Sequence, residues 1–360
     1  MKIIEGIQNA KLTISKYNKI SYHLDSDQNT EFEKVVTQII KRVKKDGDSA
    51  HRFYDQSLDN VTLEQIEVDT QVINDAANKV PKELLDALEK ASDRITAFHK
   101  ESMPQGWSDT KSGYGSIVRA VEKAGLYIPG GTALYPSTVL MSAIPAKIAG
   151  VSEVVMCTPT KTGLPHEYIL AAAKIADVDR IFTIGGAQAI AAMAYGTETV
   201  PKVDLICGPG NIFVTLAKKQ VYGDVGIDGI YGPTETMIVA DETANPELCI
   251  YDLMAQAEHD ELSIPTLVTT SQQLAEFVHK SWKKLAEKME RKPIICASME
   301  NRGSIVIVSN LTEAIELVNI IAPEHLELSI KNYNNILRKI KNAGSICCLL
   351  YTSPSPRDRG

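Results

Sequence analysis

The order of hydrophobic and polar positions separates a helical beginning of the chain from a sheet-forming middle. Between residues 30 and 99, the segments VVTQIIKRVKK and PKELLDALEKASDRITAFHK repeat apolar residues at positions i, i+3 and i+4. This is the spacing of one face of an α-helix. Pro81 opens the second segment, which suits the first turn of a helix. The pattern predicts a helical N-terminal region.

Short runs of β-branched and apolar residues follow, each succeeded by glycine and a helix-like stretch. They are VVMC at 154–157, RIFTI at 180–184, DLIC at 204–207 and TMIVAD at 236–241. Strands alternating with helices at this spacing indicate βαβ units, which form parallel sheets. Beyond residue 245 we expect further helices, strands at 266–269 and 304–308, and a long amphipathic helix at 272–290.

These elements predict an α/β fold with two parallel-sheet domains, each resembling an incomplete Rossmann fold. Residues 1–124 and 236–346 are expected to form the first domain together, and residues 125–235 the second. The last segment, CCLLYTSPSPRDRG at 347–360, has no period, and we interpret it as a foreign tail.

Composition narrows the class of function. The chain has 360 residues, of which 44% are hydrophobic and 23% charged, and its net charge is −7. Disorder is therefore excluded, and a nucleic-acid partner is disfavoured because no basic stripe offsets the negative charge. No run of eighteen apolar residues and no secretory signal is visible, and six cysteines lie scattered, so we expect a cytoplasmic enzyme with reduced thiols and no membrane contact.

Three glycine-rich segments follow predicted strands. They are AGLYIPGG at 124–131, IGGAQA at 184–189 and ICGPGN at 206–211. Glycines at strand ends let a dinucleotide approach the backbone, although none of the three is the GxGxxG motif and each is equally consistent with a plain turn. Their repetition at one edge of a sheet favours a ligand crevice.

Gln256 and His259 stand three residues apart in AQAEH. On a helix this spacing places both side chains on one face, where an amide oxygen and an imidazole can bind one zinc ion. A surface hydrogen-bonding pair is the more common outcome of such spacing.

Glu324 and His325 are adjacent in APEHLEL. Adjacent residues diverge on both a helix and a strand, but a turn after Pro323 would bring both into one cleft. A carboxylate and an imidazole together supply two bases for proton transfer near neutral pH. The alternative is a core-facing histidine beside a solvated glutamate.

Several segments in the same order are similar to those of the histidinol dehydrogenase family. They are GLYIPGGTALYPSTVLM, IGGAQAIAAMAYGTETVPKVDLICGPGN, FVTLAKKQVYG, GPTE, DLMAQAEHD and APEHLEL. The resemblance is dense from residue 122 to 345. It implies an architecture related to the aldehyde dehydrogenases, a homodimer, and the NAD-dependent oxidation of L-histidinol to L-histidine, the last step of histidine biosynthesis.

The resemblance also implies roles for individual residues. Tyr127, Gln188 and Asn211 match NAD contacts, Glu324 and His325 match the catalytic pair, and Gln256 and His259 match zinc ligands that also touch substrate. His325 is a substrate contact as well, and Thr234 in GPTE matches a substrate contact that is often serine. The cysteines match no nucleophile of the family.

The end of the chain departs from the family pattern. The family continues with a zinc-binding aspartate in GDY and an arm that completes the partner's site, whereas here Asp358 stands in PRDRG. Asp358 is thus either a third ligand or a coincidence. We expect the chain to fold through Ser345 and to lack turnover. Two rival functions stay open: a related zinc- and NAD-dependent dehydrogenase of another amino or hydroxy compound, and an inactive nucleotide-binding fragment.

Overall fold

A computed structural model describes residues 1–22, 27–59, 63, 65–130, 134–230 and 234–348, with the backbone alone for residues 17–22, 27–30 and 59. The chain separates into two compact units. The central unit is Asp25–Tyr231, and the terminal unit combines Met1–Leu24 with Gly232–Gly360.

The central unit is built on a parallel five-stranded sheet. Numbered in chain order, its strands are β4 (Lys123–Tyr127), β5 (Glu153–Cys157), β6 (Arg180–Phe182), β7 (Leu205–Cys207) and β8 (Gly226–Ile227). They lie in the order β6-β5-β4-β7-β8. The chain therefore starts at β4, proceeds to one side, and returns to the other side at β7. The point between β4 and β7 is the switch point at which open α/β sheets bind ligands.

Helices accompany this sheet, and an antiparallel hairpin of β2 (Trp107–Asp109) and β3 (Tyr114–Ser116) precedes it. The helices are α2 (Asp27–Asp46), α3 (Asp48–Tyr54), α4 (Thr70–Ala76), α5 (Lys82–Glu101), α6 (Pro136–Ala149), α7 (Glu167–Ile175), α8 (Gly186–Tyr195) and α9 (Ile212–Val221), with a π-helical turn at Asp55–Asp59 and a 3-10 turn at Ala77–Lys79. The predicted helical N-terminal region is confirmed, and Pro81 is the N-cap of α5.

The helices α2, α3, α4 and α5, all before residue 124, belong to the central unit, which corrects the predicted domain division. Helix α2 packs on α8 and α9, and α5 packs on α6. Val36, Ile39 and Val43 of α2 are buried, and the rings of Phe32 and Phe213 meet edge to face with centroids 5.1 Å apart. The apolar period of a helix shows which face is buried, but not which sheet covers it. The expected pairing of residues 1–124 with residues 236–346 was therefore wrong beyond the first 24 residues.

The terminal unit contains a parallel six-stranded sheet. Its strands are β1 (Lys2–Glu5), β9 (Glu235–Ala240), β10 (Ile264–Thr269), β11 (Ser304–Ile307), β12 (His325–Ser329) and β13 (Ser345–Cys348), in the order β1-β11-β10-β9-β12-β13. Its helices are α1 (Ile7–Tyr22), α10 (Pro246–Ala257), α11 (Gln272–Ala286), α12 (Lys292–Asn301), α13 (Leu311–Ile321) and α14 (Asn334–Leu337). Without β1, the strand order repeats that of the central sheet.

Both faces of the terminal sheet are buried. Met237 and Val239 of β9 enter a core with residues of α1 and α13, while Ile238 and Ala240 enter a second core with residues of α10, α11 and α12. A strand buried on both faces reads as an unbroken apolar run, which is the pattern from which this strand was predicted. The α/β class with two parallel sheets is thus confirmed.

The last described strand crosses the predicted start of the tail. Residues 347 and 348 form the second half of β13 and pair in parallel with residues 327 and 328 of β12. The regular fold therefore continues two residues beyond the expected break at 347. Among the described residues, no helix is long and apolar enough to cross a membrane.

Candidate functional site

The three glycine-rich turns line one cavity at the carboxyl ends of the central strands. The cavity has a volume of about 670 Å³, and its walls include Tyr127, Gln188 and Asn211, the three residues predicted to contact NAD. Gly130 of the first turn lies in the same wall, whereas Gly131 falls outside the described residues. The structure thus brings together side chains from three separate turns at the switch point of the sheet.

Tyr127 ties the first two turns together. It is the last residue of β4 and is 4% exposed. Its hydroxyl accepts a hydrogen bond from the backbone N–H of Gly186, the first residue of α8, at 3.0 Å. A Cβ at Gly208, whose φ is +116°, would overlap the carbonyl oxygen of Tyr127. Glycine at 208 therefore permits both the backbone conformation and the close approach of the turn after β7 to β4.

Gln188 and Asn211 present polar groups of opposite kinds. Gln188 is 2% exposed, and its side-chain oxygen has no hydrogen-bond partner among the described residues. A buried acceptor beside a cavity is suited to a ligand that donates a hydrogen bond, because leaving it unpaired costs free energy. Asn211 caps α9, its oxygen accepting from the N–H groups of Phe213 and Val214 at 3.1 and 3.2 Å. Its amide NH₂ is the donor that can face the cavity.

A buried ion pair supports the turn after β7. Lys218 is 2% exposed. Its ammonium contacts the Asp228 carboxylate and donates to the carbonyl of Gly208 at 3.0 Å. The other Asp228 oxygen accepts from the Gly208 N–H at 2.8 Å. Both backbone groups of Gly208 are thereby fixed by charged side chains, which give stronger hydrogen bonds than neutral partners do.

The cavity also contains residues that the sequence did not single out. His166 lines it and caps α7 by accepting from the N–H of Tyr168 at 3.2 Å, and Lys161 brings a positive charge to the same wall. In the sequence, His166 has no partner motif. Its position after Pro165 and before a helical stretch is the one signal that marks it as a helix cap.

Glu324 and His325 meet at the amino edge of the terminal sheet, the edge at which its strands begin. Helix α13 ends at Ile321, its C-cap Ala322 has a left-handed conformation with φ of 55°, and β12 starts at His325. Glu324 lies in the bend between them, so its side chain does not have to point away from that of His325 as successive side chains of a strand do. The Glu324 Oε1 and His325 Nε2 atoms are 3.7 Å apart, and the side chains are 41% and 43% exposed. The predicted turn after Pro323 thus brings the pair together within reach of solvent.

The neighbouring strand supports this pair. Ser345, the first residue of β13, lies opposite His325, and its hydroxyl oxygen is 2.9 Å from His325 Nδ1. The Ser345 N–H donates to the carbonyl of Glu324 at 2.9 Å, and the N–H of Gly344 donates to the carbonyl of Pro323 at 3.0 Å. The backbone on either side of Glu324 is therefore held by β13.

Thr234 lies at the same edge, directly before β9. It is partly buried, and its carbonyl accepts from the N–H of Ile264 at 2.9 Å. The next N–H along the chain, that of Glu235, donates to Glu324 Oε2 at 3.4 Å. The predicted substrate contact and the predicted catalytic carboxylate are therefore connected through one backbone group.

Gln256 and His259 lie at the end of α10, where the chain returns to the amino edge of β10. The helix ends at Ala257, and the His259 N–H donates to the Gln256 carbonyl at 3.2 Å. The two residues therefore belong to one turn, which spans the end of the helix, with His259 two residues beyond Ala257. Gln256 is partly buried and His259 is exposed.

These two side chains have suitable chemistry for zinc but do not complete a site. No group of three or more His, Cys, Asp or Glu residues within the described ranges is arranged to hold a metal. Asp358, the possible third ligand, lies outside the described residues. Structural zinc sites use about four protein ligands and catalytic ones about three.

Comparison with the sequences of known proteins matches the chain to one described family. A sequence model of the family described as histidinol dehydrogenase matches residues 23–358, which includes most of the segment interpreted as a foreign tail. The histidinol dehydrogenase of Streptococcus mutans is 48% identical over 335 residues, covering 91% of this chain and 77% of that protein. That of Dehalococcoides mccartyi is 46% identical over 361 residues, covering 98% and 82%.

Solved structures agree with the sequence comparison. The crystal structure of histidinol dehydrogenase from Elizabethkingia anophelis matches with a TM-score of 0.85 and 34% identity, covering 89% of this chain and 75% of that one. An aldehyde dehydrogenase from Bartonella henselae matches with a TM-score of 0.52 at 12% identity, covering 96% and 84%. At that identity the second match concerns the fold alone.

Proposed function

Because this chain belongs to the histidinol dehydrogenase family, we propose that it oxidises L-histidinol through L-histidinaldehyde to L-histidine, the last step of histidine biosynthesis. This proposal replaces the expectation that the chain lacks turnover, because the family match extends to residue 358. The observation that carries the proposal is the meeting of Glu324 and His325, with Oε1 and Nε2 3.7 Å apart. Successive residues diverge along a strand, so this juxtaposition requires the bend before β12. It gives two bases at one solvent-accessible point.

The reaction consists of two oxidations, each of which removes one hydride and one proton. In the first, the carbinol R–CH₂OH becomes the aldehyde R–CHO, and His325 accepts the hydroxyl proton. Glu324 then removes a proton from water, whose oxygen adds to the aldehyde carbon while protonated His325 returns its proton to the carbonyl oxygen, which gives the hydrate R–CH(OH)₂ and a neutral imidazole. In the second oxidation, His325 takes a hydroxyl proton from the hydrate, and the product is R–COOH. An imidazole is suited to both proton transfers because it changes charge near neutral pH.

We propose NAD as the hydride acceptor, bound in the cavity of the central unit. The residues present suit it: the buried Gln188 oxygen needs a donor, and Gly130 and Gly185 leave room where a Cβ would lie 2.8 and 2.7 Å from atoms of Pro159. Helices α6 and α8 have no side-chain N-cap. Apart from Pro136, which has no N–H, and Gly186, whose N–H donates to Tyr127, the first-turn N–H groups of these helices are suited to a phosphate. When bound, NAD supplies the electron sink for both oxidations.

Zinc is proposed on a narrower basis. Gln256 and His259 offer an amide oxygen and an imidazole in one turn, and no chemical step is derived from the metal because the described residues do not complete its site. Thr234, Gln256, His259 and His325 are proposed to contact the substrate. We also propose a cytoplasmic homodimer, as the resemblance implies, and sedimentation of the purified chain tests the dimer.

Conservative variants of the catalytic pair test the proposed function. We expect Glu324→Gln and His325→Gln to lower turnover by about 10² to 10⁴, the range of general acid–base catalysis, with NAD affinity unchanged. Glu324→Gln should slow oxidation of the aldehyde more than oxidation of the alcohol, because only the aldehyde requires activated water. Steady-state assays with each substrate and calorimetric titration with NAD measure both effects.

Two exposed residues of the terminal unit provide matched controls. Glu316 lies on α13 and His279 on α11, and Glu316→Gln and His279→Gln should leave turnover unchanged. A parent chain that produces no NADH from histidinol, or a His325→Gln variant as active as the parent, contradicts the proposal.

A further inference from the structure

Ser345 occupies a position from which one hydroxyl contacts both members of the proposed catalytic pair. Its Oγ lies 2.9 Å from Nδ1 of His325 and 3.3 Å from the carbonyl oxygen of Glu324. The contact follows from sheet register, since β12 and β13 pair in parallel with His325 opposite Ser345. Ser345 takes no part in the proton transfers described above.

We propose that Ser345 is a positioning residue that holds His325 as its Nδ1–H tautomer and leaves Nε2 as the base. The inference rests on the proposed function, in which His325 moves protons. It goes further by assigning the reacting atom of the imidazole and the group that selects it.

The Ser345 hydroxyl has a single proton, and the Glu324 carbonyl oxygen is positioned to accept a hydrogen bond from it. When Ser345 Oγ–H donates to the Glu324 carbonyl, a lone pair of the same oxygen is left to accept from Nδ1–H of His325. The other ring nitrogen, Nε2, is 3.7 Å from Glu324 Oε1, beyond hydrogen-bond distance. In a neutral imidazole the proton is held where a hydrogen bond is made, so the lone pair lies on Nε2.

The arrangement also suits the charged form that follows proton transfer. Once Nε2 has accepted a proton, Nδ1–H donates to Ser345 and the new Nε2–H faces the Glu324 carboxylate. Both N–H groups of the imidazolium then have an oxygen nearby. The ring does not need to rotate between the two protonation states, which keeps the base aligned through both oxidations.

Gly344 allows β13 to approach closely enough for this contact. A Cβ at Gly344 would lie 2.7 Å from the Glu324 carbonyl oxygen, the oxygen that accepts from Ser345. A larger residue would displace β13 from the bend.

The test compares Ser345→Ala, Ser345→Thr and Ser309→Ala in the full chain. Ser345→Ala should lower kcat by about 10- to 100-fold, by analogy with the loss when a group that orients a metal-binding histidine is removed, and change the KM for histidinol little. Threonine keeps the hydroxyl and suits a strand, so Ser345→Thr should restore most of the rate. Ser309 is an exposed serine at the opposite edge of the same sheet, and its alanine variant should retain the parent rate.

A direct measurement of the tautomer separates this inference from the proposed function. Two-bond ¹H–¹⁵N correlation spectra of ¹⁵N-histidine protein, recorded about two pH units above the ordinary histidine pKa of about 6.5, distinguish the protonated from the unprotonated ring nitrogen. The His325 signals are assigned by their loss in His325→Gln. We expect Nδ1–H in the parent and in Ser345→Thr, and a mixture of tautomers in Ser345→Ala.

The spectra are recorded without substrate, so they test the tautomer separately from turnover. An Nε2–H tautomer in the parent, or unchanged signals in Ser345→Ala, overturns the role of Ser345 whatever the turnover. The expected spectra with no histidinol oxidation by the parent would instead support the positioning and contradict the proposed reaction. A rate loss in Ser345→Ala that threonine does not restore indicates a structural role only, and also overturns the inference.

Discussion

The two parallel sheets share one order of five strands, yet the candidate residues lie at opposite edges of them. In the central sheet, Tyr127 ends β4 and the turns with Gln188 and Asn211 follow β6 and β7, all at the carboxyl edge. In the terminal sheet, Glu324 precedes β12 and Thr234 precedes β9, both at the amino edge. Strand order alone therefore does not determine which edge of a sheet provides chemistry.

Helix capping gives a physical reason for the difference. At the carboxyl edge of the terminal sheet, the helices α10, α11 and α13 have the N-cap residues Asn245, Ser271 and Asn310. The side chains of these residues accept hydrogen bonds from first-turn N–H groups. Those N–H groups are occupied by the protein itself. In the central unit His166 and Asn211 cap α7 and α9 in the same way, but α6 and α8 have no side-chain N-cap, so part of that edge retains donors for a ligand.

The largest expected effect tests whether the amino edge of the terminal sheet binds metal. His259→Ala should weaken zinc binding by more than about 100-fold, because removing only a group that supports a metal ligand already costs about 10- to 100-fold. Gln256→Leu should weaken it as well. Metal content after dialysis against zinc buffers measures both, with His279→Ala as the matched control.

NAD affinity in the same proteins separates the two edges. It should be unchanged in His259→Ala, because the proposed cofactor cavity is lined by residues of the central unit. Unchanged zinc content in His259→Ala would remove the metal assignment, and a changed NAD affinity would contradict separate edges.

An intermediate effect is expected at the carboxyl edge of the central sheet. Gly208→Ala combines a positive φ of +116° with overlap against the Tyr127 carbonyl, and relieving that overlap must shift the turn after β7. We expect NAD to bind about tenfold more weakly, a loss of about 1.4 kcal/mol, within the range of about 1–3 kcal/mol for local strain. Gly223→Ala is the matched control because its φ is +106° and a Cβ there would meet no atom within 4 Å.

Calorimetric titration with NAD and thermal unfolding of both variants distinguish the effect of overlap with Tyr127 from the effect of a positive φ, which both variants share. If Gly223→Ala weakens NAD binding as much as Gly208→Ala, the close approach to Tyr127 is not the cause. Zinc content should be the same in both variants and the parent.

Only part of either site could be predicted from sequence. The central cavity was predictable because each glycine-rich turn directly follows an apolar strand, and the chain alone encodes that order. Strand β8 has two residues and β1 has four, too few for a period to show. The contact of Ser345 with His325 depends on the pairing of β12 with β13. The sequence of one strand does not specify which strand it pairs with or in which register.

The placement of His259 shows the same limit at shorter range. A spacing of three residues fits a helix, but the helix ends at Ala257, and helix ends are set by capping and packing rather than by spacing. His166 was missed because its role depends on a cavity wall assembled from distant turns.

The smallest effect concerns the cysteines of both units. Burial, with the nearby Asp228 carboxylate, raises the pKa of Cys207 to about 11, and burial with Glu327 and Asp252 raises that of Cys249 to about 12. At pH 8, below both values, these groups are protonated thiols and should resist iodoacetamide, whereas exposed Cys347 should react. Mass spectrometry of labelled peptides and turnover before and after labelling measure the result.

Turnover should change less than about twofold if no thiolate takes part in the reaction. Inactivation that parallels labelling of Cys207 would indicate a cysteine in the reaction.

Strand β1 has a consequence for the order in which the protein is built. It pairs with β11, so that Lys2 lies opposite Ser304, and the whole central unit is inserted between these partners. The entropy of closing a loop grows only with the logarithm of its length, about 0.6 kcal/mol for each doubling, so this separation costs little at equilibrium. Its effect is on timing. On the ribosome the first strand emerges long before its partner is synthesised, whereas the central unit is continuous in sequence and has all its strands by residue 227. Strand β1 therefore stays unpaired until β11 has been synthesised, longer than any other described strand of the nascent chain.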